Sequence, residues 1–426
     1  MPSLNGEFVP PGDKSVSHRL VLLSLLSKGE MLIKGLSACE DVASSLNCFR
    51  ILGGRCREEQ EGLRIFGANR RLCSDEGVTE LDCGNSGTTM RLLAGILAGI
   101  PGFYRLDGDG QLRKRPMERV CEPLRMMGAT IETLLGKPPL TMTGGNIVAM
   151  DYAIQEASAQ VKGAILLAGL SAEGGPTAVT EVAPTRSHTE RLIDHFGGRV
   201  ETNGLRVKVW PGTLTLPETF VTPADPSSAA FFLAGAAIIP GSRVTAKNLL
   251  LSNGRTGFLK VLDRMGAKIS LTMTSDTPEP AGEVTVEYNG PLNATEVPAE
   301  EIPSLIDEIP VLSLVATQAD GETVFRKVDE LRIKETDRLM SIRHQLGALG
   351  ARVRVDGDDL FVRGPTSFIL PESLDSGKDH RLAMTLTMAL VAANAGIPVI
   401  GDESIPISYP GFREDLEKLT RESGAR

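Results

Sequence analysis

The sequence predicts an α/β protein of two similar domains, with helices packed inside and β-sheets outside. Three observations lead to this prediction. A chain of 426 residues is longer than one hydrophobic core normally supports. A phrase consisting of a helix followed by glycine recurs five times along the chain. The helices that lie between these phrases are rich in Ala, Gly and Leu on all sides, which is typical of buried helices.

The recurring phrase is a bulky apolar residue, then Gly, then Gly or Ala. It occurs at Gly53, Gly128, Gly197, Gly266 and Gly350, at intervals of about 70 to 85 residues. Glycine directly after the last helical residue is a common left-handed helix end. Aliphatic helices such as "LLAGILAG", "ILLAGLSA" and "FFLAGAAI" lie upstream, each followed by a turn and a strand. We therefore divide the chain into six repeat units in two groups of three. The alternative is an ordinary α/β protein with accidental repetition.

Composition excludes several classes of protein. The net charge of −9, without a long run of Lys or Arg, argues against nucleic acid as a partner. No signal-peptide pattern is visible, and the longest apolar stretch, residues 383–399, is interrupted by Asn394 and reads as a buried helix rather than a membrane span. The six cysteines, Cys73 among them, form no Cys-x-x-Cys motif, so we expect free thiols in a reducing cytoplasm.

Polar residues cluster where the aliphatic helices are predicted to begin. "PGDKSVSHRL" brings Lys14, Ser15 and Arg19 to the first turn of a helix, and "GNSGTTM", "SAQVKGA" and "DPSSAA" place small residues and hydroxyls before three others. Backbone N–H groups and the helix dipole favour an anion at such positions. Each cluster alone is better explained as an ordinary N-cap. The four together indicate anion binding.

Basic residues are concentrated at the same kind of position. "QLRKRPMERV" crowds four cations around a proline, "KDHRLAM" leaves Arg381 at the start of a helix, and "RIKETDR" sets Lys334 and Arg338 four residues apart, which predicts one helix face. Arginine matches phosphate or carboxylate with two parallel hydrogen bonds. We therefore expect ligands with more than one phosphate or carboxylate. A solvated helix face remains the alternative for "KETDR".

Two neighbouring carboxylates precede another buried helix. Asp307 and Glu308 lie in "SLIDEIPVLSLVA", directly before Pro310. A carboxylate in this position can simply complement the helix dipole. In a cleft lined by Lys and Arg it can equally serve as a general base on a substrate hydroxyl. The spacing alone does not favour either role.

Taken in order, these motifs resemble those of the 5-enolpyruvylshikimate-3-phosphate (EPSP) synthase family. They are "PGDKSVSHR", "GNSGTTMR", "RKRPM", "SAQVKGA", "DPSSAA", "RIKETDR" and "DHRLAM", and they extend from residue 11 to about residue 413. The resemblance implies two inverse α/β domains, each of three βαβαββ repeat units around buried helices. On this basis we expect one domain over residues 14–227 and another over residues 1–13 plus 228–426, with hinges near residues 14 and 228.

The resemblance also implies an activity and its partners. The family transfers the enolpyruvyl group of phosphoenolpyruvate to the 5-hydroxyl of shikimate 3-phosphate and releases phosphate, on the shikimate pathway to chorismate and aromatic amino acids. It uses no metal and no organic cofactor. We therefore expect a cytoplasmic monomer that binds these two small molecules. The family is the target of glyphosate; certain tolerant members carry Ala where this chain has Gly87, so the motif leaves its sensitivity open.

Residue roles follow from the same resemblance. The implied substrate-binding residues are Lys14, Ser15, Arg19, Gly87, Arg115, Ser158, Ala159, Gln160, Arg186, Asp307, Lys334, Arg338 and Arg381. Asp307 is the implied general base, and Lys14 or Glu335 is the implied proton donor to the enol carbon. "SAQ" and "TRSHTE" resemble the second, bacterial class of the family, in which Arg186 joins the phosphate site. The C-terminal Lys that some members carry is not evident in "ISYPGF".

Two alternatives stay open. The enolpyruvyl transferase that acts on UDP-N-acetylglucosamine shares the fold, but it carries a reactive Cys in the loop that here reads "GDGQLRKRPMERV"; Cys121 comes later, in the next predicted helix. A non-catalytic anion-binding protein with a decayed site would have lost several ligands. Here Asp307, Lys14 and three arginines are all present.

Overall fold

The computed structural model describes residues 3–72 and 77–421, which form two compact units. Of these, residues 12–72 and 77–222 form one unit, and residues 3–11 together with 223–421 form the other. The five described cysteines are free thiols, as predicted. Cys73 lies outside the described residues. No helix in the described ranges is long and apolar enough to cross a membrane.

The helices of the described ranges alternate between two kinds. They are α1 (Lys14–Leu23), α2 (Glu40–Ile51), α3 (Gly87–Ala98), α4 (Glu118–Met126), α5 (Ala159–Gly169), α6 (His188–His195), α7 (Pro226–Ile238), α8 (Gly257–Arg264), α9 (Ile309–Ala316), α10 (Arg338–Ala348), α11 (His380–Ala393) and α12 (Phe412–Arg421). Odd-numbered helices are buried over most of their circumference: α7 buries 12 of its 13 residues. Even-numbered helices bury one side only, as α12 does with Phe412 and Leu419. The predicted buried helices are therefore confirmed.

The five recurring glycines follow the even-numbered helices α2 to α10. Gly53, Gly128, Gly197, Gly266 and Gly350 all have φ angles between 78° and 112°. Glycine adopts this left-handed conformation without the steric cost that a Cβ atom imposes. The repeated phrase thus marks the end of the second helix in each repeat unit.

Three four-stranded sheets surround the helices of the unit formed by residues 12–222. In spatial order their strands are Thr219–Val221, Glu30–Lys34, Gly62–Phe66 and Arg55–Glu59; Val78–Asp82, Gly102–Asp107, Lys137–Gly144 and Thr130–Leu134; and Asp151–Ala153, Thr177–Thr180, Arg206–Val209 and Val200–Asn203. Each sheet joins a parallel pair to an antiparallel hairpin. Ser27–Lys28 also pairs with Leu214–Thr215. The sheets bury one face: Tyr104 and Leu106 are buried, whereas Phe103 is exposed.

The other unit repeats this plan with one difference. Its strands are Asn5–Phe8, Arg243–Leu250, Ala281–Glu287 and Lys268–Ser275; Leu292–Asn293, Ala319–Phe325, Asp359–Gly364 and Arg352–Asp356, with Glu296–Val297 beside the second of these; and Leu374–Asp375 with Val399–Ile400. The last sheet has only a parallel pair among the described residues. The sixth repeat is therefore shorter than the other five.

Three buried helices form the centre of each unit. In the first, α3 packs against both α1 and α5, and in the second α7, α9 and α11 pack against one another. Small residues allow the closest of these contacts: a Cβ atom at Gly95 on α3 would lie 2.2 Å from the carbonyl oxygen of Ala164 on α5. This packing brings together polar residues at the beginnings of helices that are far apart in sequence.

Candidate active site

The polar clusters predicted at the helix beginnings are N-caps. The side chains of Asp13, Ser86, Ser158, Asp225 and Asp379 cap α1, α3, α5, α7 and α11. Each accepts a hydrogen bond from a backbone N–H of the first turn, at distances from 2.7 to 3.4 Å. The capping interpretation therefore holds for all five. An anion at these positions would therefore rely on the side chains around the caps together with the helix dipole.

Two predicted phosphate ligands lie on the first turns of α1. Lys14 begins the helix, and its Nζ is 2.7 Å from Oδ2 of Asp41 on α2. Arg19 is buried; its Nε donates to Oγ1 of Thr189 at 2.8 Å and its Nη1 donates to the carbonyl oxygen of Ser15 at 2.9 Å. Arg19 thus connects α1 to α6, a contact between residues 170 positions apart.

Gly87 and Arg115, two of the predicted ligands, lie close together. Arg115 donates from Nη2 to Oδ1 of Asn85 at 2.6 Å. A Cβ atom at Gly87 would lie 2.9 Å from Nη1 of Arg91 and 3.4 Å from Nη1 of Arg115. The sequence analysis missed Arg91, although a buried arginine within an aliphatic helix is itself a signal. The missing side chain of Gly87 leaves room for both guanidinium groups.

Gln160 links the beginnings of α3 and α5. Its Nε2 donates to Oγ1 of Thr88 at 2.9 Å, and its Oε1 accepts from Nη1 of Arg91. Ser158 and Ala159 precede it at the cap and first residue of α5. The predicted ligands of this motif therefore lie beside those of the Gly87 motif.

Lys162 does not join the other cations. It is part of the "SAQVKGA" cluster at the beginning of α5, but its side chain is 1% exposed and faces the interior. Its Nζ donates to Glu181 Oε2 at 2.9 Å and to Glu190 Oε1 at 2.7 Å. A buried ammonium group needs such partners, because an unpaired buried charge is costly. Arg186, which lies between these two glutamates in sequence, is half-buried.

A chain of buried hydroxyl groups connects the beginnings of α1 and α3. Nδ1 of His18 is 2.7 Å from Oγ of Ser45 on α2, which is 2.7 Å from Oγ1 of Thr89. Thr89 in turn donates to Oγ of Ser86, the cap of α3, at 2.8 Å. The pKa of His18 is lowered to about 3, chiefly by burial; the charge of Asp41 opposes this shift, and the charges of Lys14 and Arg19 add to it. The imidazole is therefore neutral at physiological pH.

In the other unit, three predicted cations converge on Asp307. This residue lies in the short 3-10 turn Ile306–Glu308 before α9. Its Oδ1 is 4.0 Å from Nζ of Lys334 and 3.6 Å from Nη1 of Arg338. Its Oδ2 is 3.9 Å from Nη2 of Arg381. The side chain of Asp307 is 17% exposed, so solvent or a ligand can reach it.

The prediction that Lys334 and Arg338 share one helix face is wrong. Lys334 follows the 3-10 turn Asp329–Ile333, and α10 begins only at Arg338. Asp337 caps this helix by accepting from the backbone N–H of Met340 at 3.0 Å. Aspartate competes poorly inside a helix but strongly at its start, because its side chain binds free backbone N–H groups. The helix boundary therefore falls between the two cations.

A carboxylate lies beside each of the three guanidinium nitrogens of Arg338. Its Nε donates to Oδ2 of Asp379 at 2.6 Å, and its Nη2 donates to Glu335. Burial opposes its charge, but Asp379, Glu335 and Asp307 together raise the pKa of Arg338 above its ordinary value. Asp379, in the "DHRLAM" motif, was not among the predicted ligands. The structure shows that it both caps α11 and positions Arg338.

Glu308 is less accessible than Asp307, although the two are adjacent in sequence. Glu308 is buried, and Nη1 of Arg381 lies 3.7 Å from its Oε1. Burial and the charge of Asp307 raise the pKa of Glu308, and Arg381 and Arg255 counteract this only in part. The more accessible carboxylate of the pair is therefore Asp307. No group of three or more His, Cys, Asp or Glu side chains suited to a metal ion occurs within residues 3–72 and 77–421.

Comparison with known proteins gives the family. The family model of EPSP synthase (3-phosphoshikimate 1-carboxyvinyltransferase) matches residues 1–416. The chain belongs to this family. It is 40% identical to the 3-phosphoshikimate 1-carboxyvinyltransferase of Bacillus velezensis over 99% of this chain and 98% of that protein. The corresponding protein of Shouchella clausii is 42% identical, with coverage of 98% and 96%.

A solved structure supports the same assignment. The chain is similar to the EPSP synthase of Acinetobacter baumannii, with a TM-score of 0.87, 36% identity and coverage of 98% of this chain and 96% of that one. The predicted two-domain α/β fold is confirmed by this similarity. The predicted activity is confirmed by the family: the chain is a transferase of the shikimate pathway that uses phosphoenolpyruvate and shikimate 3-phosphate. Neither alternative receives support from these matches.

Proposed function

We propose that two groups of residues bind the substrates and perform the transfer. One group lies around the beginnings of α1, α3 and α5, and the other lies around Asp307. The observation that carries this proposal is the convergence of Lys334, Arg338 and Arg381 on Asp307 within 4.0 Å. A carboxylate surrounded by cations can take a proton from a hydroxyl group whose neighbours are anionic, because the same cations hold those anions in place. Asp307 and Lys334 flank the hydroxyl groups of shikimate 3-phosphate.

The 3-phosphate binds to residues that begin α1 and α5. The proposed ligands are Lys14, Ser15, Arg19, Ser158, Ala159, Gln160 and Arg186. The support is that Lys14, Ser158 and Ala159 lie at the start of helices of the same unit, where the helix dipole favours an anion. Arg19 and Gln160 are already fixed by hydrogen bonds, so little side-chain entropy is lost when a phosphate binds.

Phosphoenolpyruvate binds to Gly87, Lys14 and the arginines. Arg115 lies beside Gly87, and Arg338 and Arg381 lie beside Asp307. Arginines match its carboxylate and phosphate with paired hydrogen bonds. The ammonium group of Lys14 contacts both substrates in this proposal.

The chemistry then follows in two steps. The 5-hydroxyl loses its proton to Asp307, its oxygen bonds to C2 of the enol, and the methylene carbon takes a proton from Lys14 or Glu335. In the second step the methyl group of the tetrahedral intermediate returns a proton to the group that supplied it, and the C2–O bond to phosphate breaks. This step forms the enol ether and releases inorganic phosphate, which takes up the proton held by Asp307. The arginines stabilise the charge that develops on the leaving phosphate.

We also propose the finer assignments that the sequence suggested. The chain belongs to the second, bacterial class, which its Arg-x-His-x-Glu segment and its Bacillus relatives at about 40% identity support. It acts as a monomer in the cytoplasm. Its two units close on shikimate 3-phosphate about hinges near residues 14 and 228.

A coupled assay of phosphate release tests the proposed function. With shikimate 3-phosphate and phosphoenolpyruvate the protein should release phosphate and form one enolpyruvyl product, detected by mass spectrometry. UDP-N-acetylglucosamine in place of shikimate 3-phosphate should give no product. Binding of both substrates without phosphate release would instead indicate an anion-binding protein, and would contradict the proposal.

A further inference from the structure

A buried ionic cluster lies next to the proposed phosphate ligands, and the reaction as proposed makes no use of it. It consists of Lys162 on α5 with Glu181 and Glu190, whose carboxylate oxygens are 2.9 and 2.7 Å from Nζ. Each of the three side chains is 6% exposed or less. Removing such charges from water is costly, so a cluster with this burial calls for a structural or functional reason.

The two glutamates mark the ends of one segment. Glu181 follows the strand Thr177–Thr180, and Glu190 lies in the first turn of α6. Arg186, a proposed phosphate ligand, lies between them. Within the segment, Oγ1 of Thr185 donates to Oε1 of Glu181. One ammonium group on α5 therefore holds both ends of the segment that carries Arg186, which we call the 181–190 segment.

The ionic cluster is also connected to the other proposed phosphate ligands. Thr189, beside Glu190, accepts a hydrogen bond from Nε of Arg19 at 2.8 Å. A Cβ atom at Gly163, beside Lys162, would lie 2.8 Å from Oγ1 of Thr189, so α5 and α6 approach closely here. The cluster thus joins the three stretches that carry Arg19, the Ser158–Gln160 motif and Arg186.

We propose that Lys162 is a positioning residue for shikimate 3-phosphate. Its two ion pairs clamp the 181–190 segment onto α5 and so place Arg186 and Arg19 for the phosphate. This inference rests on the proposed function, because it presupposes that these arginines bind that phosphate. Phosphoenolpyruvate depends on other residues, Gly87 and Arg115 among them. Loss of the clamp should therefore weaken binding of one substrate selectively.

The central test is the variant Lys162→Met, which keeps the length of the side chain and removes its charge. The two buried carboxylates then lose their common partner, and the ends of the segment move apart. We expect the dissociation constant and KM for shikimate 3-phosphate to rise by about tenfold or more, with the KM for phosphoenolpyruvate changed less than about threefold. Calorimetric titration with shikimate 3-phosphate and steady-state kinetics measure the two effects.

Two further variants separate positioning from stability. Leu167→Ala opens a cavity further along α5, which should lower the unfolding temperature without the selective rise. Glu190→Gln weakens the clamp with an isosteric side chain, and serves as the test if Lys162→Met does not fold; it should show the same selectivity. An equal change in both KM values, or no change in a folded Glu190→Gln protein, would overturn the proposal. Absence of activity in the unmodified protein would instead refute the proposed function.

Discussion

At the scale of single residues, accessibility distinguishes the two adjacent carboxylates of the candidate site. Asp307 is partly exposed and meets three cations, whereas Glu308 is buried and its pKa is raised by burial. A general base must reach the proton that it removes, so geometry favours Asp307. The ammonium group of Lys14, the proposed ligand of both substrates, pairs with Asp41 at 2.7 Å.

The variant Asp307→Asn tests the assignment of the base. It retains the shape of the side chain but cannot accept the proton, so we expect turnover to fall by a factor of roughly 10² or more. Binding of shikimate 3-phosphate should persist, because its phosphate ligands are unchanged. The matched control is Glu330→Gln, since Glu330 also contacts Lys334, at 3.0 Å, but from a more exposed position. Near-normal turnover in the Asp307 variant would refute the assignment.

The lowered pKa of His18 predicts how the stability of the protein depends on pH. Its folded pKa of about 3 lies below the ordinary value of 6.5, so the unfolded chain binds an extra proton at acidic pH. Burying the neutral imidazole therefore lowers the free energy of unfolding only at acidic pH. The effect is absent above pH 6.5 and grows as the pH falls toward 3, by up to about 1.4 kcal/mol per pH unit. The variant His18→Gln lacks this proton uptake. Its unfolding temperature should therefore decrease less between pH 7 and pH 5 than that of the unmodified protein; parallel decreases would contradict this account.

At the scale of secondary-structure elements, each repeat contributes two helices of different kinds. One lies in the core of its unit, and the other is buried on one side only. The core helices are apolar on all sides, so their packing depends on small residues rather than on an amphipathic face. α3 and α5 approach each other at Gly95, where no side chain would fit. Because the candidate ligands lie at the beginnings of these helices, their spacing is set by this packing.

Two helical glycines provide a matched test of this packing. Gly95→Ala forces a methyl group against the backbone of α5, only 2.2 Å from a carbonyl oxygen, and should destabilise the protein by about 1 to 3 kcal/mol. Gly347→Ala on α10 meets no atom within 4 Å and should stabilise it by about 0.5 to 1 kcal/mol through helix propensity. Denaturant unfolding of both variants measures these changes. Equal effects would show that the α3–α5 contact is looser than described.

At the scale of the whole molecule, the proposed ligands are divided between the two units. Lys14, Arg19 and Arg186 belong to the unit of residues 12–222, whereas Asp307 and Arg338 belong to the other. A ligand that binds one arrangement of the units more tightly shifts the population toward it. Shikimate 3-phosphate should therefore reduce the radius of gyration measured by small-angle X-ray scattering. An unchanged radius at saturating ligand would argue against closure about hinges near residues 14 and 228.

The sequence by itself determined the features that depend on local structure. Hydrophobicity on all sides indicated the buried helices, the recurring glycines marked where helices end, and the polar clusters lay at helix beginnings, because each of these signals acts within a few residues of the chain. The ordered motifs pointed to the family and, through it, to the substrates. The boundary at Asp337 is also a local signal, because aspartate favours the cap of a helix over its interior.

Only the tertiary structure decided which way the charged side chains face and which of them meet. Lys162 belongs to a polar cluster predicted at a helix beginning, but its side chain lies inside the unit, between Glu181 and Glu190. Arg381 reaches Asp307 across 74 residues of sequence, and His18 is joined to Thr89 through Ser45 on a third helix. Spacing in the chain carries no information about such contacts. They exist because helices without a polar face pack against one another, and that packing places residues from distant segments side by side.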